Sequence, residues 1–138
     1  MTVLRDGIAR QTAGLNFLWA EITGKCNLHC EHCYADSAPD RPLMGAMSAS
    51  DWRRVIDEGS ELGCTKIQFI GGEPTLHPEL PTFIEGARGR GYDFLEVYTN
   101  GIHFAPRLAE TFVRHRVNLA FSVYSDRHHR NAVQQGAR

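Results

Sequence analysis

The sequence has no surplus of positive charge: 15 Lys and Arg stand against 16 Asp and Glu in 138 residues. Proteins that grip a nucleic-acid backbone need such a surplus to displace its counterions. The one basic concentration is the short DRHHR stretch at 126–130, so nothing evident recruits nucleic acid. Long apolar runs are also missing. The longest are strand-sized, and the opening residues MTVLRDGIARQTAGLNF lack the continuous apolar segment of a signal peptide, which excludes an obvious membrane anchor and makes a cytoplasmic location the expectation. Cysteine is scarce as well. There are four, and three of them, Cys26, Cys30 and Cys33, crowd into eight residues of the stretch GKCNLHCEHCYAD. In a reducing compartment, thiols so placed are metal ligands or catalysts rather than disulfides.

What is present is the profile of one globular domain, 42% hydrophobic and 22% charged. Four apolar, β-rich runs, NFLWAEIT (16–23), KIQFI (66–70), DFLEVYT (93–99) and VNLAFSV (117–123), alternate with segments of helical period. This alternation predicts a parallel sheet. The first helix is the clearest: Ser48 or Ser50 can cap SASDWRRVIDEGSELG, with Trp52, Val55, Ile56 and Leu62 near one face and Gly63 after it. A second runs from about Pro78 to Ala87, burying Leu80, Phe83, Ile84 and Ala87. A third lies near 105–115 and uses Leu108, Ala109 and Phe112.

After the second strand the units recur about every 25 residues, the rhythm of a (β/α) barrel. A closed eight-fold barrel needs ~200 residues or more, so the expectation is an incomplete parallel (β/α) barrel of about four units. Residues 1–15 would be an N-terminal extension and residues 16–138 the N-terminal part of a core domain, whose remaining strands are absent or whose open edge at VNLAFSV is covered by a partner. One strand parity, Leu18, Ala20, Ile22, Ile67, Phe69, Leu95, Val97, Leu119, Phe121 and Val123, is almost wholly apolar and should face the helices. The opposite parity carries Glu21, Gln68, Glu96 and Ser122. That suits either a ligand-filled lumen or a sheet face that is simply wet.

Sulfur ligands select soft metals, chiefly zinc or iron–sulfur clusters. Structural zinc closes its tetrahedron with four protein ligands, whereas four irons held by three thiolates leave one iron open for chemistry. Cys64 precedes the second strand and Cys26 follows the first. In a parallel sheet that sets them roughly 20 Å apart, so Cys64 reads as a small buried hydrophobe. His29 and His32 stay open as zinc ligands, though one short loop would then have to wrap the metal alone. FIGGEPTLHP places Gly71, Gly72, Glu73 and Pro74 at the mouth of the second strand, where α/β sheets bind ligands. There the glycine pair would admit a ligand close to the backbone, and Glu73 would offer a carboxylate to an ammonium group.

Cys26, Cys30 and Cys33 in CxxxCxxC spacing after strand one, with GGEP after strand two, resemble the radical S-adenosylmethionine enzymes over nearly the whole chain from about Phe17. The resemblance implies a four-iron, four-sulfur cluster on the three cysteines, with S-adenosylmethionine chelating the open iron. It further implies reductive cleavage of that cosubstrate to a 5′-deoxyadenosyl radical, which takes hydrogen from a substrate. Gly71, Gly72, Glu73 and Pro74 would then receive the methionine ammonium, and His32 or Tyr34 would pack near the adenine. Asn100, beside Thr99 in YTNG, and Ser122 in FSVYSD would contact the ribose or the methionine carboxylate. No role carries over to Asp126. An external one-electron donor such as a flavodoxin or ferredoxin is implied. The phrase VYSDRHHRNAV is similar to a peptide-modifying subgroup of the SPASM type, which makes a peptide one candidate substrate, while His128 and His129 read as a solvated loop. The competing reading is a non-catalytic zinc- or cluster-binding module, or an inactive fragment.

Overall fold

The computed structural model describes residues 14–127 and Gly136. All but the last two residues of the expected N-terminal extension lie outside that range, as do His128 and His129. Four strands, β1 (Leu18–Glu21), β2 (Lys66–Ile70), β3 (Phe94–Thr99) and β4 (Asn118–Phe121), form one sheet in sequential order, every neighbouring pair parallel. Helices α1 (Ala49–Glu61), α2 (Leu80–Gly89) and α3 (Pro106–Arg114) fill the connections. Each expected element is present, with ends within two residues of those read from sequence. Sequential strand order with all helices on one face is barrel winding; a doubly wound sheet would reverse its order partway and cover both faces.

Local chemistry accounts for the boundaries. Ser48 caps α1 through a reciprocal pair: the Asp51 N–H donates to Ser48 Oγ at 3.2 Å and the Ser48 N–H donates to Asp51 Oδ2 at 2.8 Å. Pro106 opens α3 and Pro81 lies in the first turn of α2, positions where a missing N–H costs nothing. The apolar parity of β1 to β3 packs on the helices. Ala20, Ile67, Phe69, Leu95 and Val97 are buried together with Ile56, Leu80, Phe83, Ile84, Ala87, Leu108 and Phe112. Burying Phe83 or Leu80 in this layer is worth roughly 1.5–3 kcal/mol each.

Three packing expectations are corrected. Leu62 lies beyond the last turn of α1 and is exposed; the position it was expected to fill is served by Gly59, where the absence of a side chain makes room for Tyr92. A Cβ on Gly59 would stand 2.6 Å from the Tyr92 hydroxyl, which donates to the Ile56 carbonyl at 2.8 Å. Ala109 is exposed and Thr111 takes its place in the buried face of α3, its hydroxyl returned to the Arg107 carbonyl at 3.0 Å. Leu119 and Phe121 on β4, and Val123 two residues beyond it, are exposed instead of buried against helices.

His77, just past the 3-10 turn Pro74–Leu76, is 2% exposed and packs with its ring tilted against Phe83, centroids 5.2 Å apart. Its Nδ1 accepts from the Glu79 N–H at 3.2 Å, and Nε2 meets no polar partner. Burial holds its pKa below the usual histidine value, with partial opposition from the Glu79 charge. The folded state therefore binds fewer protons at this site than the unfolded state does. Its contribution is intact above pH ~6.5 and is lost as pH falls toward the depressed folded value. Thermal denaturation between pH 7.5 and pH 5 should show Tm falling more steeply for the unsubstituted chain than for His77→Gln; parallel curves would refute this role.

Candidate functional site

At the C-terminal ends of β1 to β3 a cavity of about 710 Å³ opens, and Cys26, Cys30 and Cys33 all line it. The cysteine loop is shaped by its own backbone: the Cys26 N–H donates to the Ala38 carbonyl at 3.2 Å, Cys33 N–H to Cys30 O at 3.3 Å, and Asp36 N–H to Cys33 O at 3.3 Å. These short turns bring residues three and seven positions apart onto one wall. None of the cysteines is in a disulfide. Two of the sulfurs accept backbone N–H groups, from Leu28 to Cys26 at 3.4 Å and from Ser37 to Cys33 at 3.3 Å, and the Asn100 amide approaches Cys26 at 3.7 Å.

Burial pushes the Cys26 thiol above its ordinary pKa, against some relief from the Leu28 N–H; burial raises Cys30 too, reinforced by the charges of Cys26 and Cys33. A metal centre must displace those protons, so loading is favoured by rising pH. Among the described residues no three His, Cys, Asp or Glu side chains converge closely enough to hold a single metal ion. A four-iron cluster asks for a different geometry, since its thiolates each bind a separate iron and stand farther apart than the ligands of one ion. Three mutually interacting thiols with N–H donors at their sulfurs, on the wall of a cavity, fit that group. Cys64 is buried at the start of β2, at the opposite end of the sheet, with its thiol donating to the Lys66 carbonyl at 3.2 Å.

The glycine pair lines the same cavity, but what approaches its backbone most closely is the chain itself. The Gly72 N–H donates to Thr23 O at 2.7 Å and the Glu73 N–H to Lys25 O at 2.8 Å, so the loop after β2 is zipped to the loop that carries the cysteines. A Cβ on Gly71, whose φ is +135°, would collide with the Thr23 backbone, and one on Gly72 with the Lys25 carbonyl. Glu73, expected from sequence to offer a carboxylate to an ammonium, is hydrogen-bonded within the protein. Glu73 is 1% exposed and does not line the cavity. Its Oε1 accepts from Thr75 N at 3.0 Å, Thr75 Oγ1 at 2.7 Å and Thr99 Oγ1 at 2.8 Å, and its Oε2 from Asn100 N at 2.8 Å. A buried charge is tolerated when so fully hydrogen-bonded. Glu73 thereby ties β2 to the end of β3. Pro74 is buried in the 3-10 turn and lies off the cavity wall.

Of the remaining expected residues, His32, Tyr34, Thr99, Asn100 and Ser122 all line the cavity. The Tyr34 hydroxyl donates to Glu21 Oε1 at 2.9 Å, and burial together with that carboxylate pushes its pKa up to about 12. The Asn100 amide donates to Asn27 Oδ1 at 2.7 Å, which holds it beside Cys26. Ser122 lies one residue beyond β4, its N–H donating to Thr99 O at 3.2 Å. Trp19, Tyr98 and Tyr124 line the cavity without having been singled out from sequence. Trp19 and Tyr98 share strand parity with Glu21, Gln68 and Glu96, so that alternation could have found them had aromatic residues been counted beside the polar ones.

Two substitutions test the zip. Gly72→Ala should destabilise the chain by about 1–3 kcal/mol through overpacking against Lys25. Glu73→Gln should cost about 1–3 kcal/mol by setting an amide donor against donors. Both should also lower iron incorporation on anaerobic reconstitution. Denaturant unfolding and iron content read these effects, and unchanged values in both variants would show that the two loops do not depend on each other.

Residues 20–136 match the Radical SAM superfamily. Among curated proteins the chain is 31% identical over 120 residues to the probable GTP 3′,8-cyclase of Methanopyrus kandleri, covering 85% of this chain and 36% of that one. It is 38% identical over 80 residues to the Fe-coproporphyrin III synthase of Methanosarcina barkeri, covering 58% of this chain and 20% of that one. Among solved structures, Streptococcus suis SuiB is similar at TM-score 0.73 and 19% identity, covering 91% of this chain and 28% of that one; the same protein bound to S-adenosylmethionine gives 0.71 at 19%. The chain thus spans between a fifth and just over a third of the length of these relatives. With the three thiols, the glycine pair and barrel winding in one place, and a family match over most of its residues, the chain belongs to the radical SAM superfamily.

Proposed function

We propose that this chain forms the N-terminal part of a radical SAM catalytic core that cleaves S-adenosylmethionine and directs the resulting radical at a peptide. The observation that carries this reading is the shared cavity: three cysteines, the Gly71–Gly72 backbone, Tyr34, Asn100 and Ser122 converge at the strand mouths. When bound, a reduced four-iron cluster supplies the single electron that splits the sulfonium into methionine and a 5′-deoxyadenosyl radical. Cys26, Cys30 and Cys33 would hold the cluster. The N–H groups of Leu28 and Ser37, with the Asn100 amide, would partly neutralise the negative sulfurs.

The remaining groups would place the cosubstrate and exclude water. Gly71 and Gly72 bound the cavity with backbone alone, and Glu73 contributes by position: its bonds to Thr99 and Asn100 set the third wall of the site. Tyr34, anchored on Glu21, and His32 offer rings for the adenine. Ser122 and Asn100 offer polar contacts for ribose or carboxylate. A peptide substrate is favoured by the fold likeness to SuiB, one structure of which is bound to its precursor peptide SuiA at TM-score 0.70. An external one-electron donor, a flavodoxin or ferredoxin, and a cytoplasmic setting that keeps thiols reduced complete the proposal; no described helix is long and apolar enough to cross a membrane.

Anaerobic reconstitution with iron and sulfide, followed by dithionite and S-adenosylmethionine, should yield 5′-deoxyadenosine. Cys30→Ala should lose the cluster absorbance and the product together. A chain that takes up zinc without iron or sulfide, or that assembles the cluster yet forms no more 5′-deoxyadenosine than Cys30→Ala, would overturn the proposal.

A further inference from the structure

Among the described residues two buried polar side-chain atoms meet no hydrogen-bond partner, His77 Nε2 and Ser37 Oγ. The histidine is packed against Phe83 and lines neither the cysteine cavity nor the one beside it. Ser37 differs. It is only 4% exposed, yet it lines the cysteine cavity and also a second cavity of about 670 Å³, which is walled further by Thr23, Met47 and Trp52. Glu21, Tyr34 and Ser37 line both, so these three residues form the partition between the two spaces. Tyr34 and Glu21 are bonded to each other at 2.9 Å, which leaves the serine hydroxyl as the unmatched group of the partition.

A buried hydroxyl without a partner forfeits the hydrogen bonds it had in water, and folded proteins rarely leave one so unless a bound group completes it. The neighbourhood says which group. The Ser37 N–H already donates to the Cys33 sulfur at 3.3 Å, so this residue's backbone stands against a thiol of the cysteine wall. Hydroxyl and backbone nitrogen of one serine are joined through Cα and Cβ alone, and what lies beside the one is close to the other. In the bare chain the Cys33 sulfur takes the N–H and not the hydroxyl. An iron–sulfur cluster seated on the three cysteines adds inorganic sulfide at that wall. Sulfide accepts only, and a serine hydroxyl can turn its proton to whichever acceptor is offered.

We propose that the Ser37 hydroxyl donates to a sulfur of the bound cluster beside Cys33 and raises the cluster's reduction potential. The inference rests on the cluster assignment above and deepens it by naming a side chain that tunes the electron's arrival. One electron from the external donor adds negative charge to the cluster; no bond breaks, and the proton stays on the serine oxygen. A hydrogen-bond donor at the sulfur stabilises that more negative form and so eases reduction. The hydroxyl acts beside the N–H groups of Leu28 and Ser37, but those belong to the backbone, whereas the hydroxyl can be removed alone.

Ser37→Ala removes the hydroxyl and keeps the N–H. In the full chain reconstituted with iron and sulfide, without S-adenosylmethionine, an EPR-monitored redox titration reads the effect. At a fixed potential the ratio of reduced to oxidised cluster should fall about ten-fold in Ser37→Ala, equivalent to about 59 mV for a one-electron couple. Ser37→Thr keeps the hydroxyl, with the second cavity beside its extra methyl, and should titrate within about two-fold of the unsubstituted chain. In the cluster-free chain Ser37→Ala should unfold at the same or a higher denaturant concentration, because it deletes an unsatisfied buried group. An unchanged potential in Ser37→Ala, as water from the second cavity completing the hydroxyl would give, overturns the inference. So does a shift seen only with S-adenosylmethionine bound, or a Ser37→Thr chain that titrates like Ser37→Ala. Lowered stability of cluster-free Ser37→Ala overturns it too, since the fold would then already use the hydroxyl. Cluster and 5′-deoxyadenosine formed with no shift in Ser37→Ala defeat this inference alone. The expected shift with no more 5′-deoxyadenosine than Cys30→Ala defeats the catalytic proposal alone, and a chain that assembles no cluster defeats both.

Discussion

Two backbone hydrogen bonds, Gly72 N–H to Thr23 O and Glu73 N–H to Lys25 O, join the loop after β2 to the loop after β1, and the architecture of the site depends on them. The cysteine loop has little regular structure: short turns, one isolated bridge at Lys25 and Ala38, and no helix before Ala49. Such a segment keeps a defined shape only by borrowing one from a rigid neighbour. The neighbour is β2, held in the middle of the sheet by parallel ladders on both sides. Contact this close requires residues without Cβ atoms at 71 and 72, and the glycine pair is explained by that steric demand before any ligand is considered.

Glu73 extends the same connection to the third strand. A carboxylate at 1% exposure with no cationic partner would be costly if unmatched, and four donors from Thr75, Thr99 and Asn100 match it. Asn100, positioned in this way, reaches Asn27 and approaches the Cys26 sulfur. A continuous route of hydrogen bonds therefore runs from the buried acid to the Cys26 sulfur. Through Thr99 and Asn100, Glu73 fixes groups that line the cavity. Burial also raises the Cys26 and Cys30 thiols, because it excludes water that would stabilise their thiolates.

The sheet divides labour between its faces. The helix-side face of β1 to β3 is a packed apolar layer, and the opposite face carries Trp19, Glu21, Gln68, Glu96 and Tyr98, all of which but Glu96 line the cavity. β4 keeps the alternation, yet its outer residues lie in the open, so a correct pattern does not by itself guarantee burial. The same lesson holds on α1 and α3. Helical period pointed to Leu62 and Ala109, and the buried positions went to Gly59 and Thr111, because the contour of the neighbouring Tyr92 and the return of the Thr111 hydroxyl to its own helix decided the fit.

Sequence alone determined the strand and helix order, the parallel sheet, the apolar parity of β1 to β3 and the placing of three thiols at one strand end. All of these follow from short-range periodicity, capping chemistry and the rule that parallel strands share their C-terminal ends. Only the tertiary structure decided what the motif residues touch: that Gly71 and Gly72 face the cysteine loop, that Glu73 is spent on Thr75, Thr99 and Asn100, and that Trp19, Gln68 and Glu96 form one polarised row. Apart from the local Glu73–Thr75 pair, those contacts join residues 26 to 49 positions apart in the chain, and a local pattern holds no record of which distant donor will meet which acceptor.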